Sequence, residues 1–192
     1  MNAEEDHFGS LLDHLTNLRQ SRAFSRDPVP RSLLRELFEI VRWTGSAKNL
    51  QPWHLILIDD PAILGRLAEL RSINSWIANA PQGIAIVLDG PTEISEAYDE
   101  GRVTERLMLA ARVMGLAAGT AWYGDPDHER TAKQILNVPS HLTARSIIAL
   151  GYPTGSLGEV PETVVKQRKR VSDIVSHNAY GLQLEDSDRD QG

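Results

Sequence analysis

The stretch Asn49-Leu50-Gln51-Pro52-Trp53 joins a predicted helix, which ends at Arg42-Trp43, to the apolar strand Leu55-Ile56-Leu57-Ile58. The small residues Thr44-Gly45-Ser46-Ala47 form the turn between them. Asn and Gln side chains each offer a hydrogen-bond donor and an acceptor, as an aromatic heterocycle with alternating carbonyl and N–H groups requires for oriented binding. This junction therefore predicts a site that presents amides and hydroxyls to such a ring, of which a flavin is one.

The same residues also allow a purely structural interpretation. Ser46 and Asn49 are residue types that ordinary turns favour, and Pro52 is well placed to begin a strand. The stretch alone leaves both interpretations open, so the choice between them depends on the rest of the chain.

The composition indicates one domain of ordinary size. The chain has 192 residues, of which 41% are hydrophobic and 24% are charged, and this is enough for a compact core. We expect a single domain over residues 1–184, whose part from about 154 to 184 is an extended C-terminal arm. A disordered acidic tail is expected over residues 185–192.

Composition also excludes several classes of protein. No run approaches the roughly 18 apolar residues of a transmembrane helix. Residues 1–6 are acidic where a signal peptide would be basic, so we expect a cytoplasmic location and no membrane partner. The net charge of −6 argues against a nucleic-acid partner. Because the chain has no cysteine, iron–sulfur clusters and cysteine zinc sites are excluded. Redox chemistry would therefore need an organic cofactor or a metal other than these.

Hydrophobic periodicity predicts helices that alternate with strands. Helices are expected over 8–18, from Pro30 to Arg42-Trp43, over about 61–70, from about Asp99 to Met114 and from Asp127 to Leu136. Strands are expected over 53–59, from Gly83 to Asp89, from Leu116 to Tyr123 and from Ser146 to Leu150. The apolar run that begins at Gly83 suits burial on both faces, so the sheet is expected at the centre with helices around it.

Two basic clusters lie far apart in the sequence. Arg19-Gln20-Ser21-Arg22 stands where a helix gives way to a connector, and Lys166-Gln167-Arg168-Lys169-Arg170 lies in the C-terminal arm. Guanidinium groups bind phosphate oxygens through charge-assisted hydrogen bonds, so a few of them can hold a phosphate monoester. Taken by itself, each cluster is better explained as solvated surface charge.

The stretch Gly115-Leu116-Ala117-Ala118-Gly119-Thr120-Ala121-Trp122 is almost free of bulky polar side chains. Such a backbone can approach a flat ligand closely, and an N–H directed at a flavin N5 would stabilise charge there during hydride transfer. A helix end at Gly115 followed by a buried strand is the better interpretation of this stretch alone. Its glycines lack the Gly-x-Gly-x-x-Gly spacing of a dinucleotide fingerprint, so a nicotinamide would bind only transiently.

Metal-dependent and hydrolytic chemistry find little support in the sequence. The six histidines include no i, i+4 pair of the kind that metal sites use, so no metal is predicted. No Gly-x-Ser-x-Gly motif marks a serine nucleophile. No catalytic side chain is assigned.

Several short motifs follow one another in order along the chain. They are Arg19-Gln20-Ser21-Arg22-Ala23-Phe24, Asp27-Pro28-Val29-Pro30, Ser46-x-x-Asn49-x-Gln51-Pro52-Trp53, Leu109-Ala110-Ala111-x-x-x-Gly115-Leu116, Gly119-Thr120-Ala121-Trp122 and Leu150-Gly151-Tyr152-Pro153. Over about residues 15 to 181 their order and spacing resemble the FMN-dependent nitroreductase family. The resemblance implies an α+β fold, a three-layer sandwich with a mixed central β-sheet flanked by helices. It also implies a homodimer with exchanged C-terminal arms and FMN at the interface.

The resemblance implies an FMN-binding role for particular residues. They are Arg19, Gln20, Ser21, Arg22, Ser46, Asn49, Gln51, Gly119, Thr120, Ala121, Lys166 and Arg168. Arg22 would bind the phosphate or the ribityl chain. Lys166 and Arg168 resemble the family's C-terminal phosphate pair, for which Arg170 is a substitute if the register differs.

The remaining residues of this set would surround the flavin ring. Ser46 and Asn49 would reach the FMN of the partner subunit, and Gln51 would contact the ring or its support. The backbone from Gly119 to Ala121 would lie beside the ring and direct an N–H at N5.

Three departures from the family pattern modify these expectations. Leu18 stands where many members have an arginine, so phosphate binding would depend more on the C-terminal cluster. Gly45 replaces the usual proline, which should loosen the turn before Ser46. The connection from Asp89 to Asp99 is short, so we expect no large helical lid over the flavin and an open substrate pocket.

The implied activity is ping-pong oxidoreduction. NADH or NADPH would act as transient donor of a hydride to flavin N5, and a nitroaromatic, a quinone or a related small conjugated acceptor would then be reduced. Two alternatives stay open. One is a specialised flavoenzyme of the same fold, such as an enone reductase, a dehalogenase or an oxygen-using dehydrogenase, and the other is a non-catalytic flavin-binding protein.

Overall fold

The computed structural model of the chain describes residues 11–155, 157 and 165–183. The chain divides into two compact units, Met1–Gly158 and Glu159–Gly192. Residues 11–16 are helical, within the first predicted helix. The start of that helix and the predicted tail over 185–192 lie outside the described residues.

The first unit contains helices and strands in alternation. After residues 11–16, its α-helices are α1 (Arg31–Val41), α2 (Pro61–Glu69), α3 (Glu93–Val113) and α4 (Pro126–Ile135). Its strands are β1 (Trp53–Ile58), β2 (Gln82–Leu88), β3 (Ala117–Trp122) and β4 (Thr143–Gly151). Short 3₁₀ helices span Ala47–Asn49 and Ser72–Asn79, and a third, Val171–Asp173, lies in the second unit.

The four strands form one sheet in the order β1-β2-β4-β3, and every neighbouring pair is antiparallel. Ile148 of β4 pairs with Ile84 of β2 on one side and with Thr120 of β3 on the other. The sheet of the described residues therefore differs from the mixed sheet that the resemblance implied. The crossover through α3 makes β3 run in the same direction as β2, but β4 lies between them, so these four strands contain no parallel pair.

The two faces of the sheet pack against different helices. Ile84 and Ile148 belong to one buried cluster with residues of α1 and α3. Ala85 and Ile147, their neighbours along the strands, belong to another with residues of α2, α4 and Ser72–Asn79. All residues of β2 are buried, as its unbroken apolar run predicted. The predicted three-layer α+β sandwich is therefore confirmed.

Helix α3 begins at Glu93, earlier than the predicted start near Asp99. Thr92 and Ser95 form a capping box: Thr92 Oγ1 accepts from the Ser95 N–H at 3.1 Å, and Ser95 Oγ accepts from the Thr92 N–H at 3.3 Å. The polar first turns hide the apolar periodicity on which the prediction depended. The segment that we expected to be a connection is therefore largely helical.

Strand β4 begins at Thr143, three residues before the predicted start. Thr143 Oγ1 donates to Glu96 at 2.7 Å, and Arg145 Nε donates to Glu100 at 3.1 Å. Because carboxylates of α3 pair with these polar side chains, the strand can include residues whose polarity argued against it.

Among the described helices, none combines the length and apolar character that crossing a bilayer requires. The cytoplasmic location stays a prediction.

Candidate functional site

The N-terminal basic cluster lies along the outer edge of β3. The Ser21 N–H donates to the Ala118 carbonyl at 2.8 Å. Further along, the Ser25 N–H donates to the Tyr152 carbonyl at 2.8 Å, and Phe24 forms an isolated antiparallel bridge with Pro153. These bonds fix the backbone of the segment while the side chains of Arg19, Gln20 and Arg22 remain exposed.

Gly119 permits this contact because it has no side chain. A Cβ atom at this position would collide with the Ser21 carbonyl oxygen and would lie 3.1 Å from Trp76 Cη2. Only glycine therefore lets the two backbones approach this closely. The structure thus brings together two segments, around Ser21 and Gly119, that the sequence assigned to one site.

The outer edge of β3 is partly paired. The Ala118 carbonyl accepts from Ser21, and the Trp122 carbonyl accepts from Asn74 Nδ2 at 2.9 Å. In an antiparallel strand, residues two positions apart direct their N–H and C=O groups to the same side. Thr120 therefore presents its backbone N–H and C=O at this edge, between the two paired positions.

The side chains of the β3 candidates point elsewhere. Thr120 Oγ1 lies 3.4 Å from Met108 Sδ on α3, to which it donates. The Ala121 side chain is 2% exposed and packs in the core with Ile77. At the outer strand edge a ligand can therefore reach the backbone of Thr120, whereas the backbone of Ala121 faces β4, where this residue pairs with Ile147.

The Trp76 ring lies against Arg22, Phe24 and Gly119. The sequence did not indicate that this residue belongs to the site. The Arg22 guanidinium lies 5.8 Å from its ring centroid, and the Phe24 ring stacks on it at 6.4 Å. The same ring edge approaches Gly119. Hydrophobic spacing around Trp76 indicates only a core residue, so no local signal pointed to this role.

The turn between α1 and β1 gathers three other candidates. Ser46 Oγ accepts from the Gln51 N–H at 2.8 Å, and Gln51 Nε2 donates to the Asn49 carbonyl at 3.3 Å. Lys48, Asn49 and Gln51 have φ angles of 52°, 56° and 50°. The turn is therefore compact and exposed, and it uses backbone conformations that residues other than glycine adopt at a cost.

Two arginines of α3 contact this turn, and the sequence did not point to them. Arg106 Nη1 donates to the Trp43 carbonyl at 2.8 Å, and Arg102 Nη1 donates to the Gly45 carbonyl at 3.2 Å. The turn and β3 consequently share α3 as a neighbour, since α3 also carries Met108.

Lys166 and Arg168 lie in the second unit on exposed positions. The Arg168 N–H donates to the Val165 carbonyl at 3.0 Å within a short turn. Their role in phosphate binding stays a prediction.

Ionisable groups with shifted pKa values flank these regions. The Arg42 side chain donates to Glu39 at 2.7 Å and holds the pKa of that carboxyl below its ordinary value, just before the turn. At the end of β3, burial raises the pKa of the Tyr123 hydroxyl. Among the described residues no group of three or more histidines or carboxylates could hold a metal.

Comparisons with known proteins agree with this architecture. The model of the nitroreductase family matches residues 16–93. An NADH dehydrogenase from Thermus thermophilus is 30% identical over an aligned region that covers 70% of this chain and 82% of that protein. The chain belongs to the nitroreductase family.

Solved structures show the same fold. An FMN-dependent nitroreductase from Clostridium difficile has a TM-score of 0.77 at 21% identity, covering 88% of this chain and 99% of its own. An NADPH:FMN oxidoreductase from Vibrio harveyi, solved with NAD+, has a TM-score of 0.75 at 18% identity, covering 91% and 79% of the two chains.

Proposed function

We propose that this protein is an FMN-dependent oxidoreductase that uses NADH or NADPH to reduce nitroaromatics, quinones or related conjugated acceptors. The observation that carries the proposal is the close approach of Gly119 to the Ser21 carbonyl. It places the cationic Arg19–Arg22 segment beside a strand edge at which the Thr120 amide is presented. The phosphate end of FMN requires cationic groups, and its polar ring requires hydrogen-bonding groups such as this amide.

The donor set fits FMN in chemical terms. Arg19 and Arg22 offer guanidinium groups to a phosphate, with Gln20 and Ser21 as neutral donors for the ribityl hydroxyls. Lys166 and Arg168 would add further charge to the phosphate site. FMN, when bound, supplies the hydride-transfer chemistry between the nicotinamide and the acceptor.

The ring would be held by backbone and amide groups. The Thr120 N–H would donate to flavin N5, where a preorganised donor stabilises developing charge. Ser46 and Asn49 would contact the FMN of the partner subunit, and Gln51 would support their turn. The names of the relatives support the choice of cofactors, since one is an NADH dehydrogenase and another an FMN-dependent nitroreductase.

We also propose that the protein is a homodimer with exchanged C-terminal arms. An apolar groove of about 1000 Å³ runs between α1 and the outer side of α3. Ile40, Tyr98 and Val113 line it and are 42%, 70% and 55% exposed. Glu105 and Arg106 supply charges of opposite sign, which lets two copies pair across a twofold axis. We expect sedimentation to show a dimer, and a monomeric protein would contradict this part of the proposal.

The first experiment is an absorbance spectrum of the purified protein, followed by anaerobic addition of NADH or NADPH. A flavin spectrum that bleaches with either nicotinamide, and recovers when a quinone or nitroaromatic is added, is the expected result. Absence of flavin even after reconstitution with FMN would overturn the proposal. Bound FMN that neither nicotinamide reduces would favour the alternative of a non-catalytic flavin-binding protein.

A further inference from the structure

The turn from Thr44 to Gln51 is a strained structure that needs support from outside itself. Lys48, Asn49 and Gln51 all adopt the left-handed backbone region, which residues with a Cβ atom avoid. Such conformations persist only where surrounding contacts determine them. The contacts that hold this turn therefore decide how Ser46 and Asn49 are presented.

Hydrogen bonds within the turn close it on itself. The Asn49 N–H donates to the Ser46 carbonyl at 3.1 Å, the Leu50 N–H donates to the Ala47 carbonyl at 3.1 Å, and the Gln51 N–H donates to Ser46 Oγ at 2.8 Å. These bonds set the local shape, but they do not attach the first half of the turn to the body of the unit.

Thr44 attaches the start of the turn to α1, because its N–H and Oγ1 donate to the Val41 carbonyl at 2.9 and 2.6 Å. A second attachment comes from α3. Arg102 and Arg106 are four residues apart, so their side chains leave the same face of the helix. Their guanidinium groups donate to the carbonyls of Gly45 and Trp43 at 3.2 and 2.8 Å. The carbonyls of the two residues that flank Thr44 are thus tied to a helix of 21 residues.

The position of Arg102 is itself constrained. Its Nη1 atom lies 3.8 Å from Oδ1 of Asp99, whose side chain is 7% exposed. A carboxylate this buried cannot move independently of α3, so it limits the directions that the guanidinium can take. The contact with Gly45 then restrains the residue of the turn that has the greatest backbone freedom.

We infer that Arg102 and Arg106 are positioning residues that hold the Thr44–Gln51 turn in the conformation that presents Ser46 and Asn49 to FMN. The inference rests on the proposed function. Neither arginine needs to touch the cofactor, because Arg102 acts through the Gly45 carbonyl of the turn and Arg106 through the carbonyl of Trp43, which directly precedes the turn. Arg102 restrains the backbone at Gly45, which a conformationally stiffer residue at position 45 would otherwise restrain by itself.

The test compares Arg102→Gln and Arg106→Gln with the wild type, each with and without Gly45→Pro. An added Cβ at Gly45 meets no atom within 4 Å, and among the described residues its N–H donates no hydrogen bond, so neither a Cβ clash nor a lost hydrogen bond opposes proline at this position. Arg130→Gln is the matched control, because Arg130 is an exposed arginine of α4 whose ion pair is with Asp127. FMN affinity of the apoprotein is measured by quenching of flavin fluorescence, and amide hydrogen exchange is measured over residues 44–51 and over β2.

We expect each glutamine variant to bind FMN about fivefold more weakly, the factor that one net hydrogen bond contributes. Exchange should accelerate at Asn49, Leu50 and Gln51 while the amides of β2 remain as protected as in the wild type. Gly45→Pro should restore the affinity of Arg102→Gln to within about twofold of the wild type, since it removes the freedom that Arg102 restrains. Arg130→Gln should change neither quantity.

Wild-type affinity and exchange in both glutamine variants would overturn the inference. An equal loss of affinity in Arg102→Gln with and without Gly45→Pro would also overturn it, because lost dimer contacts are not repaired by stiffening residue 45. If the wild type binds no FMN, the proposed function fails, and the exchange data over residues 44–51 still decide whether the arginines hold the turn.

Discussion

Gln82 pairs with both backbone groups of Val29: the Val29 N–H donates to Gln82 Oε1 at 3.2 Å, and Gln82 Nε2 donates to the Val29 carbonyl at 3.2 Å. Both residues are buried, at 3% and 2% exposed. The Gln82 side chain thus gives the connector before α1 the two backbone hydrogen bonds that a neighbouring strand would otherwise provide. Gln82→Leu would leave a buried donor and a buried acceptor without partners.

For Gln82→Leu we expect the free energy of unfolding to fall by about 2–4 kcal/mol, the cost of two unpaired buried groups. Urea denaturation at pH 7 measures it, with Gln134→Leu on the exposed side of α4 as the control. An unchanged denaturation midpoint would show that Val29 finds other partners.

At Tyr123 we predict that a substitution raises the free energy of unfolding. Its side chain is 1% exposed, and its hydroxyl has no hydrogen-bond partner among the described residues. Tyr123→Phe removes only this unsatisfied group, so the free energy of unfolding should rise by about 1 kcal/mol. Tyr123→Ala should instead lower it by about 3–5 kcal/mol through the cavity it creates. Thermal and urea unfolding of the two variants test the pair, and a destabilised phenylalanine variant would reveal a hidden partner.

Gly119→Ala should separate cofactor binding from folding of the sheet. The added methyl group would displace the Ser21 carbonyl, so the cationic segment would leave the edge of β3. We expect FMN retention to fall more than about tenfold, as for loss of a charged hydrogen bond, while the far-ultraviolet circular dichroism spectrum is unchanged. Gly65→Ala is the control, because a Cβ there meets no atom within 4 Å and alanine suits the interior of α2. Equal FMN retention in both variants would show that the contact is not needed.

The phosphate assignment makes a prediction about two distant arginines. Arg22→Ala and Arg168→Ala should each weaken FMN retention by about 1.5–3 kcal/mol, the scale of a hydrogen bond to a charged group. Equilibrium dialysis at low and high salt measures the loss, with Arg130→Ala as a charge-matched control. Unchanged affinity in both arginine variants would remove these residues from the phosphate site.

Asp125 predicts a pH dependence of stability. At the start of α4 its carboxylate accepts from the N–H groups of His128 and Asp127, at 2.9 and 3.0 Å. The bond from His128 contributes most to lowering the pKa of Asp125 from its ordinary value of 3.8. A lowered folded-state pKa means that the stabilisation is present above the ordinary value and is lost as pH falls through the folded one.

Asp125→Asn keeps an acceptor at the start of the helix but cannot titrate. Its thermal midpoint should therefore fall less steeply below about pH 4 than that of the wild type. Calorimetry between pH 2.5 and 6 measures both curves. Parallel curves would mean that this carboxylate does not contribute to acid denaturation.

Sequence predicted the layers well and their boundaries less well. The apolar run of β2 is predicted to within one residue because a strand buried on both faces has no polar interruption. The predicted start of α3 is wrong because capping by Thr92 and Ser95, rather than apolar spacing, begins that helix. The expected mixed sheet also differs from the four strands described, since β4 separates β2 from β3.

The candidate site was predicted as separate segments, not as an arrangement. Each of Ser21, Gly119, Ser46 and Asn49 has a local reason to bind a ligand, which is why the sequence identifies them. Trp76 has no such local reason, since its importance comes from residues distant in sequence that pack around it. Long-range packing of this kind leaves no period or spacing in a single sequence.

Helix α3 contacts the Gly45 turn through Arg102 and β3 through Met108. Its tilt therefore cannot change at one of these places without changing at the other. A substitution that tilts this helix would therefore move the turn that carries Ser46 and the strand edge at Thr120 together, so a single change would alter both parts of the candidate site.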